Sequence, residues 1–195
     1  MENNNKSYVL FGFILGLSLI ISTLVGAYAF YKIRSADYIS TTGSTKKAVV
    51  CAVLTADCLP VLFSNAGGTV VAAAHAGWRG LASGILQETV KTMRESAGDE
   101  IFAWMGPAIG PAQFEVGVDV LEAFSQHYAA QCFIPGKTNG KYLADIYSLA
   151  KYALAQVGVF QVAGGEHCTF TEADKFYSYR RDGITGRMAS VIWME

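Results

Sequence analysis

The fold is decided by two apolar runs and the turns that end them, AVVCAVLTADC at residues 48–58 and TVVAAAHAGWRG at residues 69–80. The first run is almost continuously apolar, which is typical of a strand buried on both faces. Cys58 follows the end of this run, and His75 follows the second, where we expect a turn between a strand and a helix. Two reactive side chains at the ends of buried strands indicate a functional site.

An amphipathic helix is predicted near residues 81–96, after His75 and the two glycines that flank Trp78 and Arg79. Its start would expose unpaired backbone N–H groups at the positive end of the helix dipole, and Arg79 would add a full charge there. The turn is therefore suited to binding phosphate or stabilising a developing anion. The apolar residues predicted to share one face of this helix are Leu81, Ile85, Leu86, Val90 and Met93.

Cys58 and His75 allow three interpretations. A thiolate and an imidazole suit Zn²⁺, with Cu as second choice, and one more ligand plus water would complete an open catalytic site. The same pair suits nucleophilic catalysis, in which the imidazole takes the thiol proton. Alternatively, Cys58 is a small buried residue and His75 a hydrogen-bonded turn residue. Neither C-x-x-C nor H-x-x-x-H spacing is present to decide between them.

The rest of the chain alternates between strand-like and helix-like patterns. This predicts an α/β or α+β sandwich, with mixed β-sheets flanked by helices. A loop at residues 106–111 has two glycines and two prolines, and such a rigid turn can shape a pocket wall. We expect Asp145 to be an N-terminal helix carboxylate. Helices are predicted near residues 119–128 and 143–157, and strands near 101–105, 159–163 and 188–193.

The C-terminal segment places aromatic side chains beside three guanidinium groups. Arginine binds phosphate through two parallel hydrogen bonds, and an aromatic ring can stack on a purine. The alternative is that Asp182 and nearby carboxylates pair with these arginines at the surface. The residues concerned are Tyr177, Tyr179, Arg180, Arg181 and Arg187.

The other histidines and cysteines are weaker candidates. His167 and Cys168 are adjacent, and adjacent residues of a strand point to opposite faces, so joint coordination is not expected. His127 is expected at the surface or core edge of a helix. The chain has 3 His, too few for the many imidazoles of a multicopper cluster. The 4 Cys are irregularly spaced and need no disulfide framework, which fits a reducing compartment.

The front of the chain has a different character. Residues 8–31 are uncharged and apolar, and crossing a bilayer needs roughly 20 such residues. Lys32 and Arg34 follow, which favours a cytoplasmic C-terminal domain anchored at the inner face of a membrane. A cleaved signal peptide, a buried helix and a fusion artefact are the alternatives. We therefore divide the chain into an apolar helix outside the domain, residues 1–34, and a catalytic domain, residues 35–195.

Six motifs follow one another along the chain from near Ala36. They are AD at residues 36–37, TADCLPVL at 55–62, HAGWRG at 75–80, GPAIG at 106–110, FEVG at 114–117 and FYSYRRD at 176–182, closing with TGRM at 185–188. This series resembles that of one family, the laccase-domain-containing purine nucleoside phosphorylases, long classified as polyphenol oxidases, and the match reaches the C-terminus.

The resemblance implies an α/β sandwich, usually cytoplasmic, that phosphorolyses adenosine, inosine and methylthioadenosine and can also deaminate adenosine. It implies a metal site of one Cys and two His, of which Cys58 and His75 carry over. The third ligand belongs to an upstream Gln-Val-His-Gly-like motif that has no counterpart here, because no histidine precedes His75. We therefore expect an N-terminally shortened relative whose apolar leader replaces part of the family domain.

The expected function is metal-dependent purine nucleoside phosphorolysis. Cys58 and His75 would hold Zn²⁺, whose remaining positions would be open to phosphate or water. Arg79 and the backbone N–H groups of the turn would neutralise phosphate, the co-substrate that attacks C1′ of the ribose. In the deamination variant, activated water attacks C6 of adenine. The resemblance favours a purine pocket lined by an arginine, and the candidates for substrate binding are Arg180, Arg181 and Tyr179. The net charge of −1 gives no electrostatic case for nucleic-acid binding.

Two alternatives from other classes remain. The first is a metal-free Cys–His hydrolase with Cys58 as nucleophile. The second is a membrane-tethered relative that only binds or is inactive, because the third metal ligand is missing. His127, His167 or a partner chain in a homo-oligomer could instead supply that ligand.

Overall fold

The computed structural model describes residues 8–12, 50–97, 100–125 and 129–194. These residues form ten strands, five helices and one 3-10 turn. The strands are β1 Tyr8–Gly12, β2 Cys51–Thr55, β3 Leu59–Asn65, β4 Val71–Ala76, β5 Ile101–Met105, β6 Glu115–Gly117, β7 Phe133–Pro135, β8 Lys141–Ala144, β9 Gln161–Gly164 and β10 Met188–Trp193. The helices are α1 Trp78–Ala82, α2 Ile85–Ala97, α3 Val118–Ser125, α4 Ile146–Gln156 and α5 Tyr179–Asp182, and the 3-10 turn is Ala129–Cys132.

The central sheet has four strands in the order β4-β3-β5-β9. β3 pairs antiparallel with β4 and β5, whereas β5 pairs parallel with β9. One face of this sheet packs against the apolar sides of α2 and α4, including Leu86, Val90 and Leu154. The predicted mixed α+β architecture, with helices against mixed sheets, is confirmed.

A second sheet, in the order β1-β10-β2, packs on the opposite face of the central sheet. Cys51, Val53 and Ile192 meet Leu62 and Val71 there. β2 buries alternate residues, so the prediction that this run is buried on both faces is wrong. β3 and residues 71–74 of β4 are buried on both faces, because they lie between the helices on one side and the second sheet on the other. A small third sheet has the order β6-β8-β7.

The chain after His75 differs from the prediction in two ways. β4 continues to Ala76, so His75 lies within a strand rather than in the turn, and Gly77 caps α1. The predicted continuous helix is interrupted, because α1 ends at Ala82 and α2 begins at Ile85 after Gly84, whose φ is +82°. Glycine adopts this left-handed conformation without a steric penalty. The helix that follows His75 is therefore only five residues long.

The later elements follow the predicted pattern. α4 begins at Ile146, three residues later than predicted, because Leu143 and Ala144 belong to β8. The side chain of Asp145 accepts hydrogen bonds from the backbone N–H groups of Tyr147 and Ser148, which confirms its position at the N-terminus of the helix. The strands predicted at 101–105 and 188–193 are β5 and β10. The strand predicted at 159–163 is displaced to β9, and the helix predicted at 119–128 is α3, with residues 126–128 outside the described residues.

Most of the apolar leader lies outside the described residues. The exception is β1, which pairs antiparallel with β10, from Tyr8 opposite Trp193 to Gly12 opposite Ala189, so at these positions the chain is a strand rather than a helix. Residues 13–49 include the rest of the predicted span and the predicted domain boundary, which stay predictions. Among the residues described, no helix has both the length and the apolarity needed to cross a membrane.

Candidate functional site

The pairing of β3 with β4 brings Cys58 and His75 together. Leu59 lies opposite Ala76 and Pro60 opposite His75. The next positions along this ladder are Cys58, just before β3, and Gly77, just after β4. A methyl group on Gly77 would lie 2.9 Å from Cys58 Sγ and 3.9 Å from His75 Nε2. Sulfur and imidazole therefore converge on the space that the missing side chain of Gly77 leaves open.

Asp57 fixes the turn that carries Cys58. Its φ of +87° is unusual for a residue other than glycine, and such a conformation costs of order 1 kcal/mol. Its carboxylate is buried, and one oxygen accepts a hydrogen bond from Thr169 Oγ1 at 2.6 Å while the other accepts one from the backbone N–H of Arg180, also at 2.6 Å. Its carbonyl accepts from the N–H of Ile109 at 2.9 Å. The turn is thus tied to both the 106–110 loop and the C-terminal motif.

Arg187 is the site residue that the sequence interpretation did not select. The antiparallel pairing of Met188 with Thr55 places the residue before β10 beside the turn that leads to Cys58. Its guanidinium is close enough to lower the pKa values of both Cys58 and His75. The TGRM motif contained this residue, but nothing in its spacing distinguished it from the two arginines before it.

The site favours uncharged forms of its two reactive groups. Burial raises the pKa of the Cys58 thiol, the charge of Asp57 raises it further, and Arg187 opposes both. Although the His75 side chain is exposed, the protein atoms around it remove part of its hydration, which lowers its pKa, and the charge of Arg187 adds to this effect. At neutral pH the protein therefore favours a thiol beside a neutral imidazole.

The 106–110 loop is held rigidly beside this turn. The hydroxyl of Tyr147 accepts a hydrogen bond from Ala108 N at 2.7 Å and lies 2.7 Å from the carbonyl of His167, to which it donates. Burial raises the pKa of this hydroxyl, so it stays protonated as a donor. The backbone N–H of Thr169 bonds the carbonyl of Ala108 at 2.9 Å. The predicted pocket wall is thus a fixed loop, and Tyr147 is a supporting residue that only the structure identifies.

The predicted binding residues of the C-terminal motif have unequal surroundings. Arg181 donates to the carbonyls of Thr169, Phe170 and Phe176 and pairs with Asp182, so its guanidinium holds the loop together. Arg180 is tied by its backbone to Asp57, and its guanidinium donates to the carbonyl of Glu115 at 2.9 Å. Tyr179 is 61% exposed and presents its ring to solvent.

Arg79 contacts its neighbour rather than the thiol. Its guanidinium lies 4.2 Å from the ring centroid of Trp78, and the side chain is exposed. Arg79 is the second residue of α1, and α1 begins directly after Gly77. Arg79 therefore lies near the site, at the surface.

His167 and Cys168 are engaged with other groups. His167 Nδ1 lies 3.1 Å from a carboxylate oxygen of Glu172, and Cys168 Sγ accepts a hydrogen bond from Gly110 N at 3.2 Å. Within residues 8–12, 50–97, 100–125 and 129–194, no three His, Cys, Asp or Glu side chains are grouped to hold a metal ion. The donor chemistry of Cys58 and His75 suits zinc, and these residues supply two protein ligands. His127, a possible third ligand, lies outside the described residues.

Comparison with known proteins extends this picture. A family model described as "Multi-copper polyphenol oxidoreductase laccase" matches residues 23–195. The purine nucleoside phosphorylase YfiH of Escherichia coli is 56% identical over 165 residues, which are 84% of this chain and 65% of that protein. A purine nucleoside phosphorylase of Haemophilus influenzae is 54% identical over 149 residues, covering 75% of this chain and 61% of that protein.

Solved structures agree with the fold. A crystal structure of a Neisseria meningitidis protein matches with a TM-score of 0.70 and 55% identity, over 75% of this chain and 60% of that one. A Bacillus licheniformis protein matches with a TM-score of 0.69 and 32% identity, over 73% of this chain and 57% of that one. The chain thus spans less than two thirds of the length of these relatives.

Proposed function

Because the chain belongs to the multi-copper polyphenol oxidoreductase laccase family, we propose that it acts as a purine nucleoside phosphorylase, the name its curated relatives carry. The observation that carries this proposal is the convergence of Cys58 Sγ and His75 Nε2 beside the positive charge of Arg187. An arginine can bind phosphate through hydrogen bonds, and a thiol and an imidazole beside it can hold a metal ion that acts on the same substrate.

In the proposed reaction a phosphate oxygen attacks C1′ of the ribose while the bond from C1′ to the purine nitrogen breaks. The purine leaves with the bonding electron pair and takes up a proton, so the products are the free base and ribose 1-phosphate. Arg187 would bind the phosphate, and the phosphate proton would pass to water, because the ring nitrogen of His75 that faces Cys58 is the proposed metal ligand. The exposed ring of Tyr179 would stack on the base.

The finer parts of the proposal concern metal and substrate. Cys58 and His75 would hold Zn²⁺, with Cu as the alternative, and a bound ion would supply a Lewis acid at this point. The proposed substrates are adenosine, inosine and methylthioadenosine, with adenosine deamination as a side activity. Arg180 would line the base pocket, and Arg181 would shape it by holding the 169–176 loop.

The metal-free Cys–His hydrolase is the less favoured alternative. A nucleophilic cysteine is activated when its thiol pKa is lowered by a cationic neighbour. At Cys58 burial and the Asp57 charge raise the pKa, with Arg187 opposing them, and the pKa of His75 is lowered. These directions oppose the thiolate–imidazolium pair that such a mechanism requires.

The proposal is tested by identifying the products of the full chain with inosine and with adenosine, with and without phosphate and added Zn²⁺. Chromatography should show free base and ribose 1-phosphate in equal amounts, formed only with phosphate. Cys58→Ala and His75→Gln should lose this activity, whereas Cys132→Ala and His167→Gln should keep it. Release of free ribose without any phosphate requirement would instead indicate a hydrolase, and no turnover of either nucleoside would contradict the proposal.

A further inference from the structure

Asp57 lies between the two halves of the candidate site. On one side it is bonded through the chain to Cys58. On the other, its two carboxylate oxygens bind Thr169 Oγ1 and Arg180 N, each at 2.6 Å, across 112 and 123 residues of sequence. Both donors belong to the C-terminal part of the chain, which also carries the exposed ring of Tyr179.

The local fold alone does not explain an aspartate at this position. The φ of Asp57 is +87°, a conformation that glycine adopts more easily than aspartate does. An aspartate is also costly to bury unless its charge is hydrogen-bonded, and here both oxygens are bonded to groups outside its own turn. The carboxylate therefore forms its hydrogen bonds with the C-terminal part of the chain rather than within the turn that contains it.

We propose that Asp57 is a positioning residue for the nucleoside: its carboxylate sets the distance between the base-binding segment at Tyr179 and Arg180 and the reacting groups at Cys58 and His75. This inference rests on the proposed function. Arg187 is positioned separately, because β10 is paired with β2 from Met188 onward. Losing the carboxylate should therefore disturb nucleoside binding while leaving phosphate binding unchanged.

The main test is the variant Asp57→Asn in the full chain, with inosine and phosphate varied in turn. Asparagine tolerates a positive φ, but its amide is uncharged and has one acceptor oxygen, so Thr169 Oγ1 and Arg180 N can no longer both donate to a charged carboxylate. Losing one charge-assisted hydrogen bond should raise KM for inosine roughly tenfold. KM for phosphate should stay within about twofold, because the pairing of β10 with β2 positions Arg187 independently of Asp57. A merely structural defect would instead lower the active fraction and change neither KM.

Thr169 offers the matched pair of variants. Thr169→Val removes the hydroxyl donor and should raise KM for inosine in the same direction as Asp57→Asn. Thr169→Ser keeps the donor and should restore the KM of the wild type. An unchanged KM for inosine in Asp57→Asn, or equal rises in both KM values, would overturn the proposal.

A second measurement does not depend on activity. Hydrogen–deuterium exchange of the peptide covering residues 178–183 should be faster in Asp57→Asn and Thr169→Val than in the wild type. In the first variant the Arg180 amide loses its charged acceptor, and in the second the Asp57 carboxylate loses the Thr169 hydroxyl that helps to hold it in place. Exchange in α4 should be unchanged in both. If the wild type shows no phosphorolysis, the proposed function fails, and this exchange alone decides the role of Asp57. Unchanged exchange at 178–183 would overturn the positioning role in either case.

Discussion

The two halves of the site are held in place by different means. Cys58 and His75 are positioned by the backbone ladder between β3 and β4, whose register follows from two adjacent apolar runs. The C-terminal segment, residues 176–187, has only the four-residue helix α5, and it is held by side chains that bind backbone groups, chiefly those of Asp57 and Arg181. Sheet pairing thus positions the reactive groups, whereas buried polar side chains position what surrounds them.

The sharpest way to break the strand-built half is Gly77→Ala. The new methyl group would lie 2.9 Å from Cys58 Sγ, so the thiol must rotate away while the sheet stays intact. Displacing a reacting group by about 1 Å can cost roughly 100-fold in rate, and we expect a loss of inosine phosphorolysis of that size. Gly80→Ala is the milder comparison, because its methyl group would lie 3.3 Å from the carbonyl oxygen of His75, a tight approach that does not touch the thiol. Equal activity of both variants would show that the convergence at Gly77 is unimportant.

Arg187 tests the junction between the halves. Arg187→Ala should raise KM for phosphate about tenfold, the effect of losing one charge-assisted hydrogen bond, and Arg187→Lys should recover part of it. The pKa of His75, followed by NMR, should rise because a positive neighbour is removed. If neutral His75 is required, activity would then be lost at a higher pH on acidification. An unchanged phosphate KM would rule out Arg187 as the phosphate ligand.

Arg181 tests the half built from side-chain hydrogen bonds. Its side chain is only 22% exposed, and its guanidinium donates to three backbone carbonyls, so Arg181→Ala should lower the free energy of unfolding by about 2 kcal/mol. Urea denaturation measures this change. Arg94→Ala, which removes an exposed arginine bonded to the carbonyl of Val157, is the comparison and should cost less. If Arg181→Ala lost activity at full stability, the residue would bind substrate directly.

Glu172 gives the smallest expected effect. The N–H of Cys168, followed by Lys175 and His167, lowers its pKa from 4.5 to about 2. A carboxyl group whose pKa is depressed on folding stabilises the protein above its unfolded pKa, and this contribution is lost as the pH falls from 4.5 towards 2. Urea midpoints of the wild type should therefore decline more steeply over this range than those of Glu172→Gln. Parallel declines would show that these contacts are not maintained in solution.

The same contrast explains what could be predicted from the sequence. Periodicity located β5, α4 and β10, because each is a long apolar pattern packed on the core. It extended the helix after His75 through Gly84, since an amphipathic pattern continues across a single glycine whose positive φ only the structure shows. It also assigned two-sided burial to β2, because an apolar run does not reveal which strand lies inside the sheet.

The residues of the candidate site were also only partly predictable from the sequence. Cys58 and His75 were identified because each was expected to follow an apolar run. The structure brings them together in another way, because Cys58 also precedes β3, which pairs with β4. Asp57, Tyr147 and Arg187 were not selected, because their importance depends on partners 39 to 123 residues away or on strand register. All three of Arg180, Arg181 and Arg187 donate to backbone carbonyls, and nothing in their spacing indicates that the charge of Arg187 is the one that acts on Cys58 and His75.

The most direct test of the account is the rate of inosine phosphorolysis by Cys58→Ala, measured beside the wild type and Cys132→Ala at saturating phosphate. Both substitutions remove one free cysteine, and only Cys58 lies at the convergence with His75. We predict phosphate-dependent release of hypoxanthine by the wild type and Cys132→Ala, and none by folded Cys58→Ala. Equal rates in all three proteins would contradict the central claim that the strand-built pair is the reaction site.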